Sequence, residues 1–452
     1  MKVIILAGGG GVRLFPLSRQ SYPKQFLHLE DNKSLFAHTV DRFLSLVSAT
    51  DILIVTNKQY LYQVENELNE CNAQAAHILL EPVGRNTAPA IALAKSFCET
   101  KLGCLSDEVL IVAASDHVIR PQNSFEKCIL NAEKVAAEGY LVTFGIQARR
   151  PETGYGYIEV GPSNGCSYAV ASFKEKPDLK TAEQYVATGN YYWNSGMFAF
   201  QIGVFQHELA LYEPSILEVL SGGYEAALEH FAEMPDISID YALAERSSLV
   251  RMVPLTCYWS DIGSWDAMYD FLPKDSNGNA CKGDCMALDC RDSLIMGRDR
   301  LVAGIGIDDL LLVETDDVIV VAKRGESQKV KNLVEQLKNN GRKEAIEHTT
   351  NYYFWGTSFV ISSGMNYQIK KIRLLPGCKL SSQIRQSCSE YLIVLKGTAK
   401  VLRGKEQMIV YENGSVFIPP RIEYCLDNYG QGSLEILEVQ NGSCLEEVDA
   451  RR

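Results

Sequence analysis

The sequence predicts an α/β domain, then a short β-rich appendage, then an all-β module, and three observations carry that prediction. Short apolar runs alternate with longer helical patterns early in the chain, the texture changes after Pro273, and evenly spaced strand and turn signals begin near Tyr352. In the first part KVIILA precedes SLFAHTVDRFLSL, DILIVTN precedes YLYQVENELNE, and DEVLIVAAS precedes SFEKCILNAEKVAAE, with APAIALAKSFCET between them. Strands separated by helices imply βαβ units, right-handed crossovers and a parallel sheet buried on both faces. LVTFGI, LKTAEQYVATG, SGMFAF and VFQHELALYEPSILEVL continue the pattern, so the first domain is assigned residues 1–272. Residues 273–340 carry short β runs punctuated by Gly, Asn and Asp and closed by SQKVKNLVEQLKNN, which reads as a β-solenoid-like segment. The polar stretch GRKEAIEHTTN, residues 341–351, reads as a linker. From 352 to 452 the strands YQIKKIRLL, EYLIVLKGTAKVLR, EQMIVYENGSVFIPP and SLEILEV turn at PGCK, KGT and ENGS, as in a small β-barrel or sandwich.

Composition narrows the function classes. The 452 residues carry 44 Lys and Arg against 56 Asp and Glu, a formal charge of −12, and no basic run. A surface for nucleic acid or an anionic membrane needs clustered cations, so neither is an expected partner, whereas small anions need only local positive groups. No apolar stretch approaches the ~20 residues that cross a bilayer, and the N-terminus reads as a strand entering a Gly loop, so a cytoplasmic protein is expected. The 13 cysteines are scattered and odd in number, which reads as free thiols in a reducing compartment. The seven histidines end at His348.

Leu6, Ala7, Gly8, Gly9, Gly10, Gly11, Val12 and Arg13 follow the first strand, where a parallel sheet offers a nucleotide site at its carboxyl edge. The spacing is not that of a P-loop, and Arg13 stands where the dinucleotide fingerprint needs its third Gly. What remains is a glycine run that lets backbone N–H groups approach a polyphosphate, with Arg13 and, in YPKQF, Lys24 as local cations. A tight strand-to-helix turn with solvated cations is the alternative for the glycines taken alone.

GGGGVRLFPLSRQSYPKQF resembles the signature G-G-x-G-x-R-L-x-P-L-S-R-x-x-Y-P-K-Q-F of bacterial mannose-1-phosphate guanylyltransferases. EPVGRNTAPAIALA (81–94), SDHVI (115–119), RPETGYGYI (150–158), FKEKPD (173–178), WNSGMFAF (193–200), SIDYALAE (238–245) and WSDIGSW (259–265) follow in that family's order. The resemblance implies a Rossmann-like nucleotidyltransferase domain that joins GTP and mannose 1-phosphate into GDP-mannose and diphosphate with Mg²⁺. It assigns Arg13, Lys24, Asp116 and Asp261 to catalysis, the two cations on the phosphates and the two aspartates as the metal ligands. Read without the family, each aspartate is an N-cap or turn residue. Leu6, Ala7, Gly8, Gly9, Gly11, Arg85, Asn86 and Thr87 are assigned to the nucleotide, Asn86 or Thr87 serving equally as a helix N-cap. Gly156, Glu175, Lys176 and Asn194 are assigned to the sugar phosphate, although KEK by itself would be a solvated turn. Gly10, Val12, Phe15 and Ala114 depart from the family's usual Ser, Thr or Ser, Trp and Pro without removing a charge, which leaves sugar and nucleotide selectivity the exposed property.

The final block resembles the cupin-type phosphomannose isomerase domain fused to this transferase in bifunctional enzymes: Trp355-Gly356, LLPGCKLSSQ, SEYLIVLKGTAKV, ENGSVFIPP and LEILEVQ keep its skeleton. The isomerase binds a divalent metal through histidines, but here those positions read Gln383 to Tyr391 and Tyr424. Gln383, Glu390 and the thiols of Cys388 and Cys425 are the remaining candidate ligands. The expectation is an inactive isomerase-like domain retained for folding, dimer contacts or regulation, in a homo-oligomer. The alternatives are a bifunctional enzyme, a transferase for another sugar 1-phosphate, or a non-catalytic sugar-nucleotide sensor. Cys281, Cys285 and Cys290 invite a zinc site but lack a fourth ligand at suitable spacing, so they read as ordinary thiols.

Overall fold

The computed structural model describes residues 1–29, 31–353 and 355–442, the side chains of 299 and 381–383 excepted. The first unit runs β1 (Lys2–Leu6), α1 (Leu35–Leu44), β2 (Ile52–Asn57), α2 (Leu61–Glu70), β3 (His77–Glu81), α3 (Thr87–Lys101), β4 (Val109–Ala114), β5 (Val118–Arg120) and α4 (Gln122–Ala137). It continues with β6 (Leu141–Gln147), β7 (Tyr157–Asn164), β8 (Ser167–Lys174), α5 (Leu179–Thr188), β9 (Tyr191–Gln201), α6 (Ile202–Tyr212), α7 (Pro214–Leu220), α8 (Gly223–Glu229), β10 (Val250–Pro254), β11 (Tyr258–Ser260) and α9 (Trp265–Phe271). Nine of these strands form one sheet in the order β3-β2-β1-β4-β9-β6-β10-β8-β7.

The sheet differs from the wholly parallel one expected. β3, β2, β1 and β4 are parallel, but β9 pairs antiparallel with both β4 and β6, and β8 pairs antiparallel with β7 and β10. A β7–β8 hairpin needs only the Asn164–Ser167 turn, whereas a parallel pairing would need a helical crossover of a dozen or more residues. Both faces are buried. Ile4, Leu53 and Val112 point into one core with α3 and α6, and Val3, Ile54 and Ile111 into the other with α1 and α4.

A third core lies under the signature loop. Leu14 and Phe15 pack with Trp265 of α9 and with Leu294, Leu311 and Val313 of the following segment. That segment is a four-stranded sheet of β12 (Ala280–Leu288), β13 (Leu294–Ile305), β14 (Leu310–Glu314) and β15 (Ile319–Lys323). The first three are parallel and the last antiparallel, and α10 (Val330–Asn339) closes it with Val330 and Val334 in the same core. Cys285 Sγ lies 2.9 Å from the Lys282 carbonyl and Cys290 Sγ 3.3 Å from that of Leu288, so these thiols are satisfied by backbone.

Arg19 ties these parts together. Its side chain is fully buried, and its guanidinium forms two bonds to Asp317, at 2.6 and 2.5 Å, and one to the Glu347 carbonyl at 2.5 Å. Residues 341–351, read from the sequence as a linker, are docked against the signature segment. Ser21 N donates to the Ile346 carbonyl, His348 Nε2 lies 2.9 Å from the Leu17 carbonyl, and Tyr22 stacks on Tyr352 with centroids 4.8 Å apart. Burial, then Arg19, pull the His348 pKa down to about 4, which keeps the ring neutral in this contact. The last unit sets a six-stranded sheet, β16 (Thr350–Tyr353), β17 (Gly356–Gly364), β18 (Tyr367–Leu374), β25 (Leu434–Gly442), β20 (Cys388–Lys396) and β23 (Ser415–Ile418), beside a four-stranded one. The latter comprises β19 (Lys379–Ile384), β24 (Glu423–Asn428), β21 (Thr398–Arg403) and β22 (Glu406–Tyr411).

This packing can be tested at two residues. Arg19→Ala leaves Asp317 without its cation, and breaking a buried pair in this way costs about 3–5 kcal/mol; thermal unfolding should show the loss, and an unchanged Tm would refute it. Glu67, buried on α2, accepts from Ser34 Oγ at 2.6 Å, and burial raises its pKa to about 7. A folded pKa above the unfolded one adds stability that is complete below the unfolded pKa and is lost as pH rises through the folded value. Glu67→Gln should therefore flatten the fall of Tm between about pH 5 and pH 8; an identical slope in wild type and variant would contradict this.

Candidate active site

The floor of the site is the glycine loop, and its carbonyls are held from below. Ala7 O accepts from Gln25 Nε2 at 3.1 Å and Thr56 Oγ1 at 3.0 Å, Gly8 O from Asn57 Nδ2 at 2.9 Å, and Gly9 O from Gln25 Nε2 at 3.3 Å. Leu6, the last residue of β1, has its carbonyl taken by Ser115 N. No acceptor among the described residues takes the N–H groups of Gly8, Gly9 and Gly10, and nothing approaches the Cβ positions of Gly9 and Gly10. The loop thus has anchored acceptors and free donors, the polarity an anion needs. Gly11 adopts φ +34°, and a Cβ there would lie 2.9 Å from Lys24 Cβ, so only Gly lets Lys24 come this close.

Lys24 and Arg13 differ in kind. Arg13, exposed in the turn Val12–Leu14, makes no ion pair among the described residues. Lys24 is buried; its Nζ lies 2.8 Å from Asp116 Oδ2 and also donates to the Asp261 backbone carbonyl. Asp116 and Asp261 are brought to the same lysine because β5 and β11 pair antiparallel, with Ser260 opposite Val118 and Trp259 opposite Ile119. Asp261 Oδ1 accepts from Tyr155 OH at 2.7 Å and Gly263 N at 3.1 Å. Burial acts to raise the Asp116 pKa, but Lys24 and His117 outweigh it and hold it below the ordinary carboxylate value. Burial and the Asp261 charge push the Tyr155 phenol well up, so it remains a donor.

A second cluster lies beside the first, joined through Tyr155. A Cβ on Gly156 would fall 2.3 Å from Glu175 Oε2, so the missing side chain is what admits that carboxylate. Glu175 Oε1 accepts from Lys176 Nζ at 2.5 Å, while buried Oε2 has no hydrogen-bond partner among the described residues. Asn194 donates from Nδ2 to Asp240 Oδ1 at 2.7 Å and accepts from Thr143 Oγ1 at 2.8 Å. Burial, then Glu175, raise the Asp240 pKa to about 6. One orphaned carboxylate oxygen beside a protonatable carboxyl and an exposed ammonium suits a polyhydroxylated, anionic ligand.

Arg85, Asn86 and Thr87 make their side-chain contacts with the backbone of the start of α3 and of residues 232 and 239. Asn86 Oδ1 caps Thr87 N at 3.0 Å at the start of α3, Thr87 Oγ1 accepts from Ile239 N at 2.9 Å, and Arg85 Nη2 donates to the Ala232 carbonyl. Here the capping reading describes Asn86, and the loop also anchors the segment that leads to Asp240. Sequence reasoning assigned no role to Tyr155, Asp240 or Glu81, although each lay inside a recognised motif. Glu81, buried at the end of β3, sits where a Gly8 Cβ would be 2.3 Å from its Oε1, and burial raises its pKa to about 7.

In the last unit, Glu390 is fully buried and its Oε1 accepts from Arg385 Nε at 3.2 Å and Gln440 Nε2 at 2.9 Å. Tyr424 OH donates to Glu438 Oε1 at 3.3 Å. Cys425 Sγ donates to the Leu380 carbonyl, and no three His, Cys, Asp or Glu converge as a metal site among the described residues. The Gln383 side chain lies outside the described residues.

A mixed α/β sheet with an amide-lined glycine loop, a lysine between two aspartates and a sugar-sized polar cluster defines a nucleotidyl transfer enzyme, and the chain belongs to the nucleotidyl transferase family, whose model matches residues 2–278. Its more particular kin are full-length mannose-1-phosphate guanylyltransferases. The chain is 42% identical to "Mannose-1-phosphate guanylyltransferase RfbM" of Salmonella typhimurium, over 99% of this chain and 96% of that protein. It is equally identical to "Xanthan biosynthesis protein XanB" of Xanthomonas campestris pv. campestris, over 99% of this chain and 97% of that one. A crystal structure described as "mannose-1-phosphate geranyltransferase" from Thermus thermophilus superposes with TM-score 0.68 and 32% identity, over 75% of this chain and 99% of that one. Two further family models match: "MannoseP isomerase/GMP-like beta-helix domain" over residues 283–337 and "Mannose-6-phosphate isomerase C-terminal" over residues 340–452. No helix among the described residues is long and apolar enough to cross a membrane.

Proposed function

We propose that this chain is a mannose-1-phosphate guanylyltransferase: GTP and α-D-mannose 1-phosphate give GDP-mannose and diphosphate. The observation that carries the reading is Lys24, whose ammonium touches the Asp116 carboxylate and the Asp261 carbonyl at the mouth of the glycine loop. A phosphate oxygen of the sugar phosphate attacks the α-phosphorus, the new O–P bond forms, and the bond to the β-phosphate oxygen breaks in line. No protein nucleophile is required, so the work of the chain is alignment and charge. The loop amides and Arg13 would receive the triphosphate, and Lys24 would neutralise the charge that develops during transfer.

Two carboxylates, with the remaining positions left to phosphates and water, make a donor set that suits Mg²⁺ better than an all-protein cage, so Asp116 and Asp261 are the proposed ligands. When bound, Mg²⁺ would supply charge neutralisation across the phosphates. Glu175, Lys176, Asn194 and Asp240 would hold the hexose phosphate. Leu6, Ala7, Gly8, Gly9, Gly11 and the Arg85 to Thr87 loop would frame the nucleotide. We further infer that Glu81 reads the base, because its ionised form accepts from the N1–H and amino donors of guanine and meets an acceptor at N1 of adenine, a preference that should strengthen as pH rises through about 7. The proposed division is 1–272 for the transferase, 273–340 for a short solenoid, 341–351 for a docked connector and 352–452 for a cupin-like domain without isomerase activity. What supports the last assignment is the guanidinium of Arg385 against Glu390, the one carboxylate retained from the isomerase pattern. A cytoplasmic homo-oligomer completes the reading.

The test is diphosphate release from a panel of nucleotides and sugar 1-phosphates. GTP with mannose 1-phosphate should turn over best, ATP should be poor, and Asp116→Asn or Asp261→Asn should lower kcat by about a thousandfold; wild-type inactivity with every sugar 1-phosphate would reject the reading. Gly156→Ala would displace the Glu175 carboxylate and press on Asn194 Cβ, 3.3 Å from the new methyl, so it should raise KM for the sugar phosphate about tenfold with the KM for GTP unchanged. A rise in both KM values would put Glu175 elsewhere.

A further inference from the structure

An open cleft of about 280 Å³ lies between α1, β5 and the start of α4, and none of the glycine loop, Arg13, Lys24 or the sugar cluster lines it. Leu35, Val118 and Ile119 form an apolar wall, and Arg42, His117 and Arg120 contribute the polar side.

Arg42 is the unusual group here. It is buried, and a charge at that depth ordinarily has an opposite charge against it. Its contacts are neutral: Nη2 donates to the His117 carbonyl at 3.1 Å, Nη1 lies 3.5 Å from Thr39 Oγ1, and the guanidinium sits 5.5 Å from the centre of the Phe125 ring. The neighbouring carboxylate, Asp41, also lines the cleft but is paired with Lys33 at 2.5 Å, and no carboxylate pairs with Arg42 among the described residues. His38, on the same wall, is 3.0 Å from Asp31. Burial draws the Arg42 pKa down to about 10, with no carboxylate opposing it. Gln122, the first residue of α4, donates to the Arg42 carbonyl at 2.9 Å and to Ser45 Oγ at 2.7 Å, which sets the positive end of that helix against the same space.

We propose that this cleft is a second anion site that takes a compact phosphomonoester, its phosphate on Arg42 and Arg120 and its carbon skeleton against Leu35, Val118 and Ile119. The volume is just below the roughly 300–1,000 Å³ of sites for drug-sized ligands, which favours a compact guest, and the apolar wall favours an ester over bare phosphate. Arg42 holds the carbonyl of His117, the residue after Asp116, so a phosphate that draws on Arg42 would act on the turn carrying Asp116. This coupling rests on the catalytic reading of Asp116, whereas binding does not.

Isothermal titration of the full chain with glucose 6-phosphate, and separately with inorganic phosphate, is the test, run with and without GDP-mannose. Expected are saturable binding of glucose 6-phosphate that survives GDP-mannose, weaker binding of inorganic phosphate, and a loss of about tenfold or more in Arg42→Gln and Arg120→Gln. Arg120 is exposed, so its variant remains informative if Arg42→Gln fails to fold. Absence of binding, competition by GDP-mannose, indifference to Arg120→Gln, or inorganic phosphate binding as tightly as the ester would each overturn the proposal. Glucose 6-phosphate should also change the rate of diphosphate release in wild type and not in Arg120→Gln; an unchanged wild-type rate removes the coupling while the titration still judges the site.

Discussion

The buried Arg19 guanidinium is the contact on which much else depends. It belongs to the signature segment, yet it faces away from the glycine loop and grips Asp317 and the Glu347 carbonyl, residues that enter the chain about three hundred positions later. A charge with no solvent access is stable only while those acceptors stay in place. The back of the loop is thereby joined to the β12–β15 sheet and to the connector, while its front carries Arg13, Gly11 and Lys24. The C-terminal half is thus part of the support that fixes the loop.

The electrostatics follow the same economy. This acidic chain sets three cations in different surroundings: among the described residues Arg13 is exposed without an ion pair, Lys24 is buried against the Asp116 carboxylate and the Asp261 carbonyl, and Arg42 is buried without a paired carboxylate. The carboxylates are sorted in the same way. Asp116 is held ionised by Lys24 and His117, whereas burial pushes Asp240 toward about 6 and Glu81 toward about 7. Groups of one type are therefore biased toward opposite protonation states in different parts of one chain.

In the last unit the strands and turns follow the isomerase pattern while the interior chemistry does not. Arg385 and Gln440 both donate to Glu390 Oε1, the buried Oε2 of Glu390 has no hydrogen-bond partner among the described residues, and Tyr424 donates to Glu438. Two sheets can keep their apolar core of Leu392, Val394, Leu426 and Ile436 whatever polar groups occupy the middle, because packing depends on the alternation of inward side chains.

Sequence alone determined the order of the units, the glycine loop after β1, the two clusters of motif residues, and the lack of histidines beyond His348. Those features are local: alternation of apolar residues, turn chemistry and short spacings are written in neighbouring positions. Only the tertiary structure decided that β9 runs antiparallel in the sheet, that Asp116 and Asp261 are brought to the same lysine by the β5–β11 ladder, that Tyr155 and Asp240 join the site, and that residues 341–351 are docked. Each of these is a contact between distant segments. The motif text gave no side-chain direction for Asn86, which caps α3, or for Arg85, which turns to Ala232. Pairing across long separations is set by which buried groups can satisfy one another, and that is known only once the chain has closed on itself.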